Sequence, residues 1–343
     1  MTPLESRRRA GMSVLEVIVM ILVAMTFLAV LVPAIDASRE ASRRTTCTGR
    51  QRAIAEAILS YHEAHGRFPT GVAYPGGCLP DTGRMLWTFV MLPRLGHAEV
   101  ADAIGPRILA PRPDDPAGWR PFQTVIPGFR CPSDSHLPFA YPLYGIEGCT
   151  VGNYVGCFSP HGFPVEPEAD VACLTAQTIN GGQRTTANPT VRSIEPWRTL
   201  PGRAVFNYQG VERRLDDVTD GAATTVMVSE VISGGPRADF RGTWWTDHGV
   251  QYSHWNTPNN PGPDYAELSD GLPQSSDRKK GLPPIVGWPG GWPAYLTSAR
   301  SRHPGAVVAA FADGSVRTVT DGIERDVWRA LGSMNGGDDA ADQ

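Results

Sequence analysis

The hydrophobic pattern of this chain begins with one long apolar run near the N-terminus. Residues 17–32 carry no charged side chain, and the run has one acid, Glu16, at its start and one proline, Pro33, at its end. As a helix, residues 12–32 would be about 32 Å long, which is close to the roughly 30 Å thickness of a bilayer core. The pattern therefore predicts a helix that can span a membrane once.

The helical pattern continues past this run. Residues 36–65 are rich in Ala, Arg, Glu and Gln, which favour helix. We predict a single helix from about residue 12 to residue 65, with a break into two helices near residues 45–49 as the alternative. Its second half has one face of apolar residues at three- and four-residue steps: Ala53, Ile54, Ala57, Ile58 and Tyr61.

The rest of the sequence favours strands and turns. The chain has 37 glycines and 31 prolines, which indicate many turns and long loops rather than a helical bundle. An Asp-Gly pair at 313–314 lies between the apolar segments 307–311 and 316–319, and this is a strong hairpin signal. Residues 224–228 are predicted to form another strand, and residues 324–331 a short helix.

The predicted fold class is therefore α+β, with a long N-terminal helix packed on an antiparallel β-rich domain with long loops. The helix has a membrane-spanning part at 12–33 and a soluble part at 34–65, and the β-rich domain covers 66–343. Two loop-rich insertions are expected in that domain, at about 158–203 and 242–295.

The N-terminal run allows three interpretations. A cleaved secretory signal needs a small-x-small cut site after its apolar core, but this run ends in Val32-Pro33-Ala34-Ile35 and continues as helix. A plain single-pass anchor is the second interpretation. The third uses the order of the features, because three arginines and Gly11 precede the run and Glu16 follows Gly11 by five positions.

This order resembles the type IV prepilin leader, which has a basic peptide, a glycine, a hydrophobic residue and a glutamate at the fifth mature position. Gly11, Met12 and Glu16 match that order, and Pro33 matches a proline that pilin helices often carry at the twenty-second mature position. The chain departs from the family at residues 12–14, which are Met-Ser-Val where the family usually has Phe-Thr-Leu.

The resemblance implies that residues 1–11 are a leader that a prepilin peptidase removes. The peptidase would cut between Gly11 and Met12 on the cytoplasmic side, where the arginines fit the positive-inside bias, and the new amine would be methylated. In a filament, Glu16 would pair with the amino terminus of a neighbouring subunit, because a carboxylate in hydrocarbon usually has a partner. The alternative for Glu16 is a place at headgroup depth, favoured by the helix dipole.

Charge and cysteine usage limit the partners and the chemistry. The net charge of −4 offers no basic field for nucleic acid, so no nucleic-acid partner is expected. Six cysteines follow the predicted membrane segment and would lie outside the cytoplasm, where disulfides persist. They form no CxxC pair and suit no standard zinc spacing, which favours disulfides of unknown pairing over metal ligands. They are Cys47, Cys78, Cys131, Cys149, Cys157 and Cys173.

A second resemblance covers nearly the whole chain. His303, nine further residues and then Asp313-Gly314 match the His-x9-Asp-Gly element of a large bacterial family with prepilin leaders. CPSD at 131–134, GNYVG at 152–156 and VTDGAATTVMVSE at 218–230 also resemble segments of that family, in the same order. The family carries a solute-binding-protein-like domain of unassigned function (DUF1559 type). The resemblance indicates a lineage and an export route, but it implies no ligand.

Two groups of polar residues are candidate metal or acid–base sites. His303 and Asp313 would lie at opposite ends of one extended strand, about 33 Å apart, so a turn explains Asp313 better and a cap or packing contact explains His303 better. Asp216, Asp217, Asp220 and Glu230 could supply oxygen ligands to Ca2+. Their spacing matches no EF-hand loop, however, and Asp-Gly pairs form turns without any metal.

Catalytic motifs are absent from the sequence. It has no GxSxG, HExxH, Walker A or Rossmann motif, so we predict neither an enzyme nor a cofactor. Tryptophans within residues 242–295 could stack on sugars or peptides, although packing is the commoner role of buried aromatic residues.

The expected function follows from the N-terminus. We expect a pseudopilin-like structural subunit of a type II secretion or type IV pilus-like system, which contacts itself or other pseudopilins through its N-terminal helix. It would be held in the inner membrane by a single span, with its C-terminal domain in the periplasm or on the cell surface. The alternative is a membrane-anchored extracytoplasmic binding protein for glycans or peptides.

Overall fold

A computed structural model describes residues 12–73, 85–105, 117–141, 146–161, 202–207, 212–234, 239–266, 285–287 and 296–337. The chain divides into two compact units, residues 1–45 and residues 46–343. The helices are α1 (Val14–His65), α2 (Trp87–Met91), α3 (Ala98–Ile104) and α4 (Arg325–Gly332). The strands are β1 (Val72–Ala73), β2 (Met85–Leu86), β3 (Phe139–Tyr141), β4 (Ile146–Cys149), β5 (Tyr154–Ser159), β6 (Val226–Glu230), β7 (Gln251–Ser253), β8 (Asp264–Ala266), β9 (Ile285–Gly287), β10 (Ala306–Phe311) and β11 (Val316–Thr320).

Helix α1 is continuous over 52 residues, so the single-helix prediction is confirmed and the predicted alternative of a break near 45–49 is wrong. Gly49 lies inside α1. A glycine inside a helix costs about 1 kcal/mol relative to alanine, and burial of the neighbouring helix face offsets that cost. The buried residues on α1 are Cys47, Gln51, Ile54, Ala55, Ala57 and Ile58.

The first unit consists of the apolar half of α1. Its large hydrophobic side chains are exposed from Met12 to Ile35, and none of its most apolar stretch is buried against other described residues. Among the described residues, α1 is the one helix long and apolar enough to cross a membrane. A soluble surface rarely exposes such a continuous apolar patch, so this half of the helix needs an apolar environment.

The second unit is organised around a five-stranded sheet with the strand order β11-β10-β6-β5-β7. Neighbouring strands are antiparallel except β5 and β7, which run parallel. The predicted hairpin is confirmed, because β10 and β11 pair from Ala306–Thr320 to Ala310–Val316. Gly314 in its turn has φ 85°, a left-handed conformation that favours glycine. The α+β prediction is therefore confirmed.

The three central strands of this sheet are buried along their whole length. One apolar cluster includes Ile54 of α1 together with Ala310 of β10. A second cluster includes Trp328 of α4 together with Val307 and Ala309 of β10. Because successive side chains of a strand point to opposite faces, α1 and α4 cover opposite faces of the sheet. The sheet is thus the middle layer of this unit.

The apolar spacing of residues 85–92 is typical of a helix, but only part of this segment is helical. Met85 and Leu86 pair with β1 instead, and the helix α2 occupies only Trp87–Met91 before a 3-10 turn that begins at Pro93. The predicted insertion at 158–203 lies almost wholly outside the described residues, and the one at 242–295 is described only in part.

Burial of His254 predicts a pH dependence of stability. Its ring stacks on Trp328 at 3.7 Å, Tyr252 Oη donates to Nε2 at 2.9 Å, and Nδ1 donates to the Trp328 carbonyl. Desolvation by burial is the main cause that lowers the pKa of His254 to about 3. The unfolded chain, with an ordinary pKa near 6.5, therefore binds a proton more readily than the folded chain.

The stability that this neutral histidine contributes is present above pH 6.5 and is lost as the pH falls from 6.5 towards 3. Between pH 7 and pH 5 the loss is expected to be about 2 kcal/mol from this residue alone. Thermal unfolding of the full chain in detergent, measured at both pH values, checks it. In the variant His254→Gln, the stability difference between pH 7 and pH 5 should be smaller by that amount. An unchanged difference would contradict the assignment.

Candidate functional site

Four side chains from distant parts of the sequence meet beside the central sheet. They are Cys47 on α1, Cys131 in the loop after residue 129, Glu230 at the end of β6 and His303 in the loop before β10. Their sulfur, nitrogen and carboxylate oxygen atoms all lie within 4.8 Å of one another, and all four residues are buried. This Cys-Cys-Glu-His cluster is the candidate functional site.

Cys47 and Cys131 form a disulfide, with their Cα atoms 5.4 Å apart. The bond joins α1 to the loop that carries the CPSD segment, 84 residues further along the chain. Two of the six cysteines that were predicted to form disulfides are therefore bonded to each other. The sequence alone did not say which cysteines pair.

Cys149 and Cys157 form no disulfide with each other or with another described cysteine, and their predicted disulfides stay a prediction. In the part of the chain that the structure describes, both are buried free thiols, and burial raises the pKa of each thiol to about 12. The Cys157 thiol lies 3.8 Å from the carbonyl oxygens of Ser159 and Gly332, which accept weak hydrogen bonds from it. Such thiols are inert at neutral pH because the nucleophile is the thiolate. Cys78 and Cys173 lie outside the described residues.

His303 connects the sulfur and carboxylate sides of the cluster. Its Nε2 atom is 3.4 Å from Cys131 Sγ and 3.6 Å from Glu230 Oε1. The imidazole is completely buried, and the loop before it is fixed because Ser301 Oγ accepts a hydrogen bond from the His303 backbone N–H. The ring is therefore held at the centre of the cluster.

Glu230 has two carboxylate oxygens in different surroundings. Oε2 accepts a 2.9 Å hydrogen bond from the backbone N–H of Val308, on the neighbouring strand. Oε1 is buried and accepts no hydrogen bond from any described residue. Buried carboxylate oxygens normally have a donor, so the oxygen that faces His303 is available to a further positive group.

A second layer of hydrogen bonds holds the cluster in place. The Asn153 amide oxygen accepts from the Cys131 backbone N–H at 2.7 Å, and the Asn153 amide nitrogen donates to Asp134 Oδ2 at 2.7 Å. That oxygen also accepts from the backbone N–H and hydroxyl of Ser233, and Arg302 Nε donates to Asp134 Oδ1 at 3.3 Å. The CPSD and GNYVG segments and the residue before His303 thus form one network.

His303 and Asp313 do not meet, although the same sequence element contains both. They lie before and after β10, and Asp313 is exposed in the hairpin turn. Asp313 Oδ1 accepts a 2.8 Å hydrogen bond from the Ser315 backbone N–H, and Gly314 provides the left-handed turn position. Asp313 and Gly314 therefore shape the hairpin, and His303 belongs to the buried cluster.

The aspartates proposed for Ca2+ have hydrogen-bonding roles. Asp217 Oδ2 accepts from the Arg214 backbone N–H at 2.7 Å. Both Asp220 oxygens accept hydrogen bonds from the segment after α4, which come from Ser333 Oγ, Gly336 N and Gly337 N. Asp216 is exposed. The calcium site stays a prediction, and it would compete with these donors for Asp220.

The predicted processing site lies at the edge of the described residues. Gly11 is outside them, while Met12 is exposed and lies two residues before the start of α1 at Val14. Ser13 and Glu16 bond reciprocally across the first turn: the Ser13 N–H donates to Glu16 Oε2 at 2.8 Å, and the Glu16 N–H donates to Ser13 Oγ at 3.3 Å. This is a capping box, which satisfies two N–H groups at the start of the helix.

Two of the five tryptophans in residues 242–295 serve the core. Trp244 and Trp245 are buried, and their ring N–H groups donate to the hydroxyl and the carbonyl oxygen of Thr150. They cannot offer an open face to a sugar or a peptide. Trp255 is partly exposed beside Arg329, and Trp288 and Trp292 lie outside the described residues.

Glu230 was not predicted to be a neighbour of the cysteines. The sequence contains one signal for its role, because Glu230 follows the apolar strand residues 226–228 after a single serine. A charged side chain at the end of a buried strand needs a partner. That signal does not say which partner, because His303 is 73 positions away and the cysteines are on other elements.

The family model SBP_bac_10, described as a protein of unknown function (DUF1559), matches residues 36–326. The match includes all four residues of the cluster and excludes the apolar half of α1. No curated protein and no solved structure is significantly similar to the chain.

Proposed function

We propose, since the chain belongs to the DUF1559 family, that it is a pseudopilin-like structural subunit held in the inner membrane by the N-terminal half of α1. A DUF1559 domain after an apolar helix is compatible with a membrane-anchored extracellular protein. The finer proposal adds processing by a prepilin peptidase at Gly11–Met12 and assembly with itself or with other pseudopilins. Its role is structural rather than catalytic, and it involves no nucleic acid.

The observation that carries this proposal is the continuous apolar surface of α1 between Met12 and Ile35. Its large side chains are exposed in the single chain, so lipid or other helices must cover them. A bundle of such helices would bury the surface in a filament, whereas lipid would cover it in the membrane before assembly. The same helix then continues to His65 and places its buried face in the second unit.

Glu16 is the residue that distinguishes assembly from simple anchoring. In the single chain its carboxylate serves the capping box with Ser13. A carboxylate has about four acceptor positions, so the cap leaves capacity for the amine of a neighbouring subunit. Removal of residues 1–11 would create that amine at Met12, four residues before Glu16.

Substitutions at Glu16 separate its charge from its capping role. Glutamine also completes a capping box but carries no charge, so Glu16→Gln keeps the helix start and removes the proposed ion pair. We expect Glu16→Gln and Glu16→Ala to lower the amount of assembled protein alike, by at least tenfold, which corresponds to about 1.4 kcal/mol. The measurement is the fraction of the chain in sheared or cross-linked assemblies from native membranes.

Two control variants make this result specific. Asp36→Asn removes the same charge at the other end of the apolar run and should leave assembly unchanged. Ser13→Ala weakens the cap but keeps the charge, and it should cost far less assembly than Glu16→Gln. Normal assembly of Glu16→Gln would contradict the proposed ion pair and would leave Glu16 a capping residue only.

A further inference from the structure

We propose that the Cys-Cys-Glu-His cluster binds one Zn2+ ion when the Cys47–Cys131 disulfide is reduced. The disulfide then joins α1 to the CPSD loop, and the zinc ion in its place would join both of these to β6 and to the loop before β10. This inference concerns the second unit and does not depend on the assembly function proposed above.

The types of ligand atom in the cluster select zinc. Reduction provides two thiolate sulfurs from Cys47 and Cys131, beside an imidazole nitrogen from His303 and a carboxylate oxygen from Glu230. Zn2+ accepts all three atom types and is commonly four-coordinate in structural sites. Ca2+ and Mg2+ prefer oxygen ligands alone, so this set of four disfavours them.

The spacing of the ligand atoms is close to that of a tetrahedral zinc site. Zinc–ligand distances of about 2.0–2.3 Å place neighbouring ligand atoms roughly 3.3–3.8 Å apart. His303 Nε2 lies 3.4 Å from Cys131 Sγ and 3.6 Å from Glu230 Oε1, and both distances fall in that range. The two sulfurs, which are bonded in the oxidised protein, must separate to a similar distance. Their Cα atoms are already 5.4 Å apart, so side-chain rotation provides most of that movement.

Glu230 provides the independent sign that the cluster accepts a cation. Its Oε1 is buried and accepts no hydrogen bond from the described residues, while its Oε2 is held by the Val308 N–H. A buried carboxylate oxygen without a donor is costly, and a metal ion in the cluster would satisfy it. The network through Asn153 fixes the Cys131 backbone, as outer-shell hydrogen bonds do in metal sites.

Opening of the Cys47–Cys131 disulfide is a two-electron reduction. A dithiol reductant gives two electrons and two protons to the disulfide and becomes a disulfide itself, and Cys47 and Cys131 become thiols. Zinc binding then releases both thiol protons, because the ligands are thiolates. In the reverse exchange a disulfide oxidant takes the two electrons from Cys47 and Cys131 and becomes a dithiol, which removes two of the four ligands and expels the ion.

Zinc binding by the full chain in detergent tests the proposal, with the oxidised wild-type chain as a control of identical sequence. The reduced chain is prepared with a phosphine, which gives two electrons to the disulfide and becomes the phosphine oxide with the oxygen atom of a water molecule. The chain is then stripped of metal before titration with Zn2+ or Co2+. We expect one zinc ion per reduced chain and none per oxidised chain. Co2+ should give a thiolate charge-transfer band and the strong visible absorption of a tetrahedral site.

Variants assign the binding to the cluster. His303→Ala and Glu230→Gln should each weaken zinc binding by at least about 100-fold, since even outer-shell changes cost 10–100-fold. The double variant Cys78→Ser/Cys173→Ser removes two cysteines outside the described residues and should still bind one ion. Far-ultraviolet circular dichroism of each oxidised variant establishes that it has folded.

Three results would overturn the proposal. They are no zinc bound by the reduced wild-type chain, equal binding by the oxidised and reduced chains, and unchanged affinity in a folded His303→Ala variant. If reduction unfolds the chain, refolding with and without Zn2+ decides, because a zinc cross-link must restore the fold and a failure to restore it also rejects the site.

Discussion

Replacing Asp264 by asparagine is expected to destabilise the protein by about 3–5 kcal/mol, the usual cost of leaving a buried charge without its partner. Asp264 lies between two buried arginines: its Oδ2 is 3.0 Å from Arg241 Nη1, and its Oδ1 is 3.0 Å from Arg300 Nη2. Arg241 also pairs with Asp239 at 2.7 Å. The two arginines and the two aspartates are neutral together, and the variant would leave one net positive charge in the interior.

The Asp264 network joins segments that are far apart in the sequence. Arg300 also donates to the carbonyl oxygens of Asn260 and Gly262, and the Ser298 N–H donates to Asp264 Oδ1. Burial alone would lower the pKa of Arg241, but Asp239 and Asp264 together raise it, so the arginine stays charged. The buried positive charge of Arg241 therefore needs the carboxylates of Asp239 and Asp264 to balance it.

Thermal unfolding of the full chain in detergent, followed by tryptophan fluorescence, measures the effect of Asp264→Asn. The control is Asp313→Asn, which makes the same change at an exposed turn position and should cost less than about 1 kcal/mol. A loss of stability at position 264 no larger than that of the control would show that the network contributes little.

Replacing both Cys47 and Cys131 by alanine is expected to lower the stability by about 2–5 kcal/mol. The disulfide closes a long loop, with its two cysteines 84 positions apart, and the chain-entropy value for such a loop is about 4.5 kcal/mol. The bond also fixes α1 against the CPSD loop, beside the buried Glu230 and His303. Unfolding by urea, with a metal chelator present, provides the measurement.

The reduced wild-type chain is the matched comparison for this double variant. In chelator, it should lose nearly as much stability as the double variant, because both lack the same cross-link. Cys149→Ala removes a buried thiol that forms no described disulfide and should cost about 1 kcal/mol. A double variant as stable as the wild type would contradict the stabilising role of the bond.

The features that the sequence predicted well are those encoded by neighbouring residues. The apolar run and the alanine-rich segment after it predicted α1, and Asp313-Gly314 predicted the β10–β11 hairpin. The Ser13-x-x-Glu16 spacing is also a local signal, since it is the pattern of a capping box. The predictions for Glu16 concern its charge and do not include this capping role.

The buried clusters could not be predicted because their members are far apart in the sequence. Cys131 is 84 residues from Cys47 and 172 residues from His303, and the order of the strands in the sheet brings them together. The same holds for Asp264 and its two arginines. The number of cysteines predicts disulfides, Cys149 and Cys157 included. The sequence does not say which thiols lie close enough to pair.

The intact mass of the mature protein from its native membrane, beside that of a Gly11→Ala variant, decides whether this chain is a processed pilin-like subunit. We predict a wild-type chain that begins at Met12 and carries one added methyl group, and a variant that keeps residues 1–11. A wild-type chain that keeps residues 1–11 would contradict the account, and the N-terminal half of α1 would then be an ordinary membrane anchor.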